Sequence, residues 1–132
     1  MITILIGIFL ICHGLVHLLY AGQSGRLFEL RPDMTWPDGT WLFSKFLGDE
    51  SIRLLVSVSL VLAALGFAAG GLGLLFRVDW WRFVTAVSAA FSALLFYVSW
   101  NGKFQALDDQ GGVGVLINGA ILLMILVFKW PV

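Results

Sequence analysis

The sequence predicts an all-α fold: a four-helix transmembrane bundle with a structured first loop containing a short amphipathic helix. Three observations predict it. Apolar residues are 60% of the 132 and charged residues 12%, where soluble domains carry about 45–50% and about 25%. Mean hydropathy is +0.96. Four apolar runs each come near the roughly 20 residues that a helix needs to cross hydrocarbon. A chain this short could not hide so much apolar surface from water, so the lipid bilayer is its expected solvent.

The four runs cover about 2–20, 51–76, 81–100 and 112–130, within a single domain over 1–132. The first has no basic flank and holds two histidines, so it reads as a retained helix rather than a cleaved signal. Asp49 or Ser51 is the expected N-cap of the second. Only Arg77–Trp80 separate the second run from the third, which makes those helices antiparallel neighbours. A short polar turn, 101–111, joins the third to the fourth. The first connection, 21–50, is long enough to need structure of its own. In it, Pro37-Asp38-Gly39 reads as a β-turn. Residues 40–47 place Leu42, Phe43, Phe46 and Leu47 on one side, with Gly48 as C-cap, as an amphipathic surface helix would.

Aromatic residues suggest where the bilayer ends. Tyr20, Trp36, Trp41 and Trp100 fall at one face and Trp80, Trp81 and Trp130 at the other, as interfacial belts do. Lys and Arg number three at the terminal face (Arg77, Arg82, Lys129) and five at the other, a count that favours the long loop inside. The three hug helix ends, however, while several of the five sit in a long folded loop, so both termini are expected in the cytoplasm. Small residues recur at four-residue spacing: Gly66/Gly70 and Ala69/Gly73 in the second run, Ala86/Ala90, Ser88/Ser92 and Ala89/Ala93 in the third. Such spacing lets helix backbones approach closely, either within the bundle or between copies of the chain.

Composition also removes whole classes of function. Eight acids balance eight bases, so there is no basic stripe for a nucleic-acid partner. A single cysteine, Cys12, rules out quinone-linked oxidoreductases that work through a cysteine pair, and leaves Cys12 as a small buried hydrophobe. No Walker loop, nucleophile elbow or zincin motif occurs.

The chemistry-bearing feature is His13-Gly14-Leu15-Val16-His17 in the first run. Four-residue spacing sets both imidazoles on one helix face. Ionisable groups inside membrane segments face the bundle interior and are candidates for function. Topology brings Arg53, Tyr97 and Asn118 to the same half of the bilayer, with the histidines roughly 5–10 Å inside the loop face. His13, His17, Tyr97, Asn118 and Arg53 are therefore the candidate ligand-binding residues. As a metal site, His13 and His17 offer two nitrogen ligands suited to zinc or copper. As a pocket they would offer donors to a quinone or small lipid. As interhelical glue they would only hold the bundle together. A proton relay is the fourth reading. A bis-histidine haem is excluded, because two ligands on one helix face cannot sandwich one iron and the chain has no third histidine. No cofactor is identified by any of these patterns. Arg53 is expected to snorkel, pairing with Glu50, Asp108 or Asp109; the last two also form a candidate carboxylate pair.

The His13-Gly14-Leu15-Val16-His17 helix, Trp80-Trp81-Arg82 and Gly114–Asn118 resemble a scattered group of small four-helix prokaryotic membrane proteins with a His-Gly-x-x-His first helix. In general shape the chain is also similar to DoxX-like proteins. The resemblance implies the fold and a prokaryotic inner or plasma membrane, and no activity. Two functions stay open at this point. One is an accessory or structural subunit of a larger membrane complex, or a homo-oligomer. The other is a binding or redox-accessory protein with a quinone, lipid or metal pocket at the histidines.

Overall fold

The structure is a computed structural model that describes residues 1–103 and 110–131. Among these residues every regular element is helical. The elements are α1 (Ile2–Ser24), a single 3-10 turn (Phe43–Lys45), α2 (Asp49–Leu75), α3 (Trp81–Ser99) and α4 (Gly112–Leu122), which runs on as a π-helical turn, Leu123–Val127. α1, α2 and α3 are long and apolar enough to span a membrane, and α4 with its π turn is a shorter apolar helix. Apolar sequence of this kind is helical because a bilayer offers the backbone no hydrogen bonds but its own.

Backbone approach sets the packing. A Cβ at Gly14 would sit 2.9 Å from the Ala64 carbonyl oxygen, and one at Gly71 2.7 Å from that of Gly7. α1 and α2 thus cross antiparallel with almost nothing between them. Gly66 faces Ser88 and Gly70 faces Thr85 across the α2–α3 contact. The small residues at four-residue spacing in α2 are spent inside this chain. α3 in turn packs on α4. Two apolar clusters result. Ile6, Leu10, Phe67, Leu74, Trp81, Ala89, Ile121 and Ile125 form one near the termini. Trp36, Ile52, Val56, Leu60, Leu95 and Phe96 form the other beneath the first loop.

Several boundaries differ from expectation, each for a local reason. α1 runs one turn past Tyr20 because its polar end finds partners: Gln23 and Ser24 are fully buried, and the Ser24 hydroxyl donates to the Arg53 carbonyl oxygen. α2 starts at Asp49, with Gly48 in extended backbone as its N-cap and no side-chain cap. Gly48 therefore opens a helix rather than closing one, and Asp49 and Glu50 lie in the first turn, where the helix dipole favours acids. The amphipathic helix of residues 40–47 shrinks to one 3-10 turn, its start held by the Thr40 hydroxyl, which accepts from the backbone N–H of Phe43 and Ser44. The fourth helix ends at Val127, not 130: Lys129 turns into left-handed backbone (φ 51°) and the Trp130 N–H closes back on the Met124 carbonyl.

The first loop is stapled rather than free. Gln23 donates to the carbonyls of Met34 and Trp36 and accepts from the Leu30 N–H. Arg26 adopts left-handed backbone (φ 60°) just beyond α1, a conformation that costs about 1–2 kcal/mol outside glycine. Its guanidinium offsets this by donating to the carbonyls of Gln23, Thr35 and Trp36. The expected turn is present, with the Asp38 N–H donating to the Thr35 carbonyl and Gly39 at φ 70°. Trp36 is not an interfacial aromatic: it is 1% exposed and stacks on Phe96, 5.7 Å between ring centroids. Trp81 is buried likewise, whereas Trp41, Trp80 and Trp130 stay exposed. Cys12 is on the outer face of α1, exposed rather than buried.

Among the described residues Arg53 pairs with Asp38 rather than with Glu50; Asp108 and Asp109, the other expected partners, lie outside the described residues. Arg53 donates to both carboxylate oxygens of Asp38, at 2.7 and 2.5 Å, and Arg26 approaches the same carboxylate at 3.0 Å. Burial pushes the Asp38 carboxyl up, but the Arg53 hydrogen bond and the two arginine charges outweigh it and hold it below the ordinary carboxylate range. A depressed native pKa stabilises the fold above the unfolded value and loses that contribution as pH falls through the native one. Acidification below about pH 4 is therefore expected to release the first loop, and Asp38→Asn to abolish that acid step. Hydrogen exchange of the Gly25–Gly48 backbone across pH 3–6 reads it; identical protection in both proteins at every pH would contradict it.

Candidate functional site

α1, α3 and α4 each bring a polar side chain to the level where the two apolar clusters meet. His13 is the middle residue of α1, His17 lies one turn on, and Ser92 and Asn118 lie close to the middle of α3 and of α4 with its π turn. All four are buried, Ser92 and Asn118 completely. Phe67 of α2 floors the group, with its ring centroid 4.7 Å from that of His13 and 5.1 Å from that of His17. Phe9 stacks on the other side of His13, 5.9 Å away.

The polar atoms close into a ring. His13 Nε2 and Asn118 Oδ1 are 2.8 Å apart, and the amide oxygen can only accept, so the imidazole donates. Asn118 Nδ2 donates to Ser92 Oγ at 2.9 Å. His17 Nδ1 lies 2.8 Å from the His13 carbonyl oxygen, an acceptor, and so carries the proton. In the uncharged imidazole that a bilayer interior favours, His17 Nε2 is then an acceptor. It takes the Ser92 hydroxyl proton at 2.6 Å. Each link points the same way round. The two histidines are held as opposite tautomers, His13 protonated on Nε2 and His17 on Nδ1.

This ring changes what the residues can do. Both Nε2 atoms face protein partners, so a metal would have to displace Asn118 and Ser92 to reach them. Among the described residues no third histidine, cysteine or acid joins the pair. His17 is roughly 10 Å and His13 roughly 16 Å from the loop end of α1 at Ser24, at 1.5 Å per residue.

Of the five sequence candidates, the structure gathers His13, His17 and Asn118 and leaves two elsewhere. Tyr97 faces outward, 56% exposed: its carbonyl accepts from the Trp41 indole N–H and its ring meets that of Trp41 edge-on, 5.4 Å between centroids. Arg53 belongs to the loop clamp with Asp38. The residue that sequence reasoning missed as a site member is Ser92, visible there only as one of a small-residue pair. Its signal was depth, since it stands seven residues from the loop end of α3, as His17 does from the end of α1. α1 and α4 come little closer than this bridge: their backbones scarcely approach each other, and the His13–Asn118 bond spans the gap. Comparison with protein-family models, with curated proteins and with solved structures finds no match.

Proposed function

We propose that the chain is a four-helix, multi-pass integral membrane protein acting as a structural or accessory subunit of a membrane assembly, with the histidine ring as the bolt of its bundle. The observation that carries this reading is the closure of the ring. Every link ends on protein, which is what interhelical glue requires and what a ligand site would avoid. At mid-bilayer depth an unsatisfied polar group costs several kcal/mol, so polar groups retained there are kept satisfied. α4 is the shortest helix and relies most on the bolt. A partner helix would meet the open side between α1 and α4, where a side chain at Gly114 or Gly119 would touch nothing. The small residues of α2 are already used within the chain. The sequence resemblance supports a prokaryotic inner membrane, and the cations that hug the helix ends at the terminal face support cytoplasmic termini.

Native mass spectrometry of gently solubilised protein from its own host tests this. Wild type should carry no metal or organic molecule that a His13→Ala, His17→Ala variant lacks. A small mass present in wild type and lost from that variant would replace the bolt with a binding site, and with it the redox-accessory reading would return.

A further inference from the structure

At the terminal end of the bundle three cations stand without an acid partner among the described residues. Arg77 lies in the α2–α3 turn, Arg82 in the first turn of α3 and Lys129 just beyond the π turn of α4. Among the described residues Asp79 is the one acidic side chain beside them, and no ion pair joins it to any of the three. Arg82 is the pivot. Its guanidinium donates to the Pro131 carbonyl at 2.5 Å and lies 5.0 Å over the Trp81 ring, while its Nε is buried without a partner among the described residues.

Two concavities meet at Arg82. One, of about 290 Å³, is of mixed character, lined by Thr3, Arg77, Asp79 and Arg82 together with the apolar Leu74 and Val78. The other, of about 490 Å³, is walled by Phe83, Ala86, Ile125 and Leu126, with Arg82 and Lys129 at its mouth. The second runs along α3 toward the hydrocarbon, Ala86 standing one turn deeper than Arg82. Exposed Trp80 and Trp130 mark the same level as the membrane–water interface.

We propose that this end binds an anionic phospholipid, its phosphate in the first cavity on Arg77 and Arg82 and one acyl chain in the groove beside Ala86. The two halves fit an amphiphile, with surplus positive charge where the headgroup lies and an apolar trough that begins at the same arginine. Basic pockets on the cytoplasmic side of membrane helices take such headgroups. A free phosphate would use the first cavity alone. The proposal shares with the preceding one only the membrane placement, and nothing in it involves the histidines.

The test is lipid retention by the intact solubilised chain in native mass spectrometry, with dioleoyl phosphatidylglycerol, dioleoyl phosphatidylcholine and inorganic phosphate as probes. Wild type should keep phosphatidylglycerol over phosphatidylcholine by at least about fivefold, the factor for about 1 kcal/mol per basic residue near the surface. Arg77→Gln and Lys129→Gln should each remove about that factor. Arg82→Gln also loses the Pro131 contact, so the two outer variants carry the charge test. Ala86→Leu should weaken retention of phosphatidylglycerol and leave the weak association of phosphate unchanged. Equal retention of the two lipids, or charge variants that match wild type, would overturn the proposal. Phosphate binding as tightly as phosphatidylglycerol, with Ala86→Leu without effect, would overturn it in favour of a free-anion site. A histidine variant that loses the lipid would overturn it too, by moving the lipid to the bundle centre.

Discussion

Gly71→Leu is expected to part α1 from α2 and to leave little folded protein at the wild-type melting temperature. A Cβ at this position would lie 2.7 Å from the Gly7 carbonyl oxygen, 2.8 Å from Ile11 Cγ1 and 3.2 Å from the Ile11 nitrogen. Two of those atoms are backbone and cannot swing aside. Even Gly71→Ala should cost about 1–3 kcal/mol, the usual penalty for overpacking, and leucine more. The loss spreads because α1 carries both histidines of the ring, and tilting it breaks the links to α3 and α4. Gly119→Ala is the control: its Cβ would meet nothing within 4 Å, so stability should stay near wild type. Unfolding by denaturing detergent, followed by circular dichroism, measures both. A Gly71→Leu protein as stable as wild type would mean that the helices do not cross there.

The second large effect concerns the bolt. Asn118→Leu removes two links at once, leaving the His13 Nε2–H without an acceptor and Ser92 without a donor. Interhelical hydrogen bonds in membranes average about 0.6 kcal/mol and reach about 1.7. Abandoning a buried partner adds its own penalty, so a loss of about 1–3 kcal/mol is expected. The informative comparison is a variant in which every member becomes apolar: His13→Leu, His17→Leu, Ser92→Ala and Asn118→Leu. With no orphaned polar atom left, it should recover much of that loss, since replacing both partners of a buried hydrogen bond can be nearly neutral. Four independent contributions would instead add, and the combined variant would be the least stable of all. Recovery of stability marks a bolt, and summed losses would contradict it.

Much of this was legible in the sequence. The helical runs, the short α2–α3 turn and a close helix approach at Gly66 and Gly70 follow from apolar length and from the spacing of small residues, though not that the approach is made within the chain. His13, His17 and Asn118 stood out because polar groups are rare in such runs. What was not legible had two physical causes. Apolar length defines where lipid contact stops, not where a helix stops, so the buried turn 21–24 was not foreseen. Composition is also blind to side-chain direction: Tyr97 points outward while Trp36 folds beneath the loop, although both lie where an interfacial aromatic is expected. The Arg53–Asp38 pair depends on how the first loop turns back over α2, which no local pattern encodes.

The most direct test of the ring is ¹⁵N nuclear magnetic resonance of histidine-labelled protein in bilayers, with His13→Leu and His17→Leu variants for assignment. The closed ring predicts opposite tautomers, His13 protonated on Nε2 and His17 on Nδ1. Both histidines in the same tautomer, or a second proton on either ring, would break the direction of the hydrogen bonds, and the bolt with it.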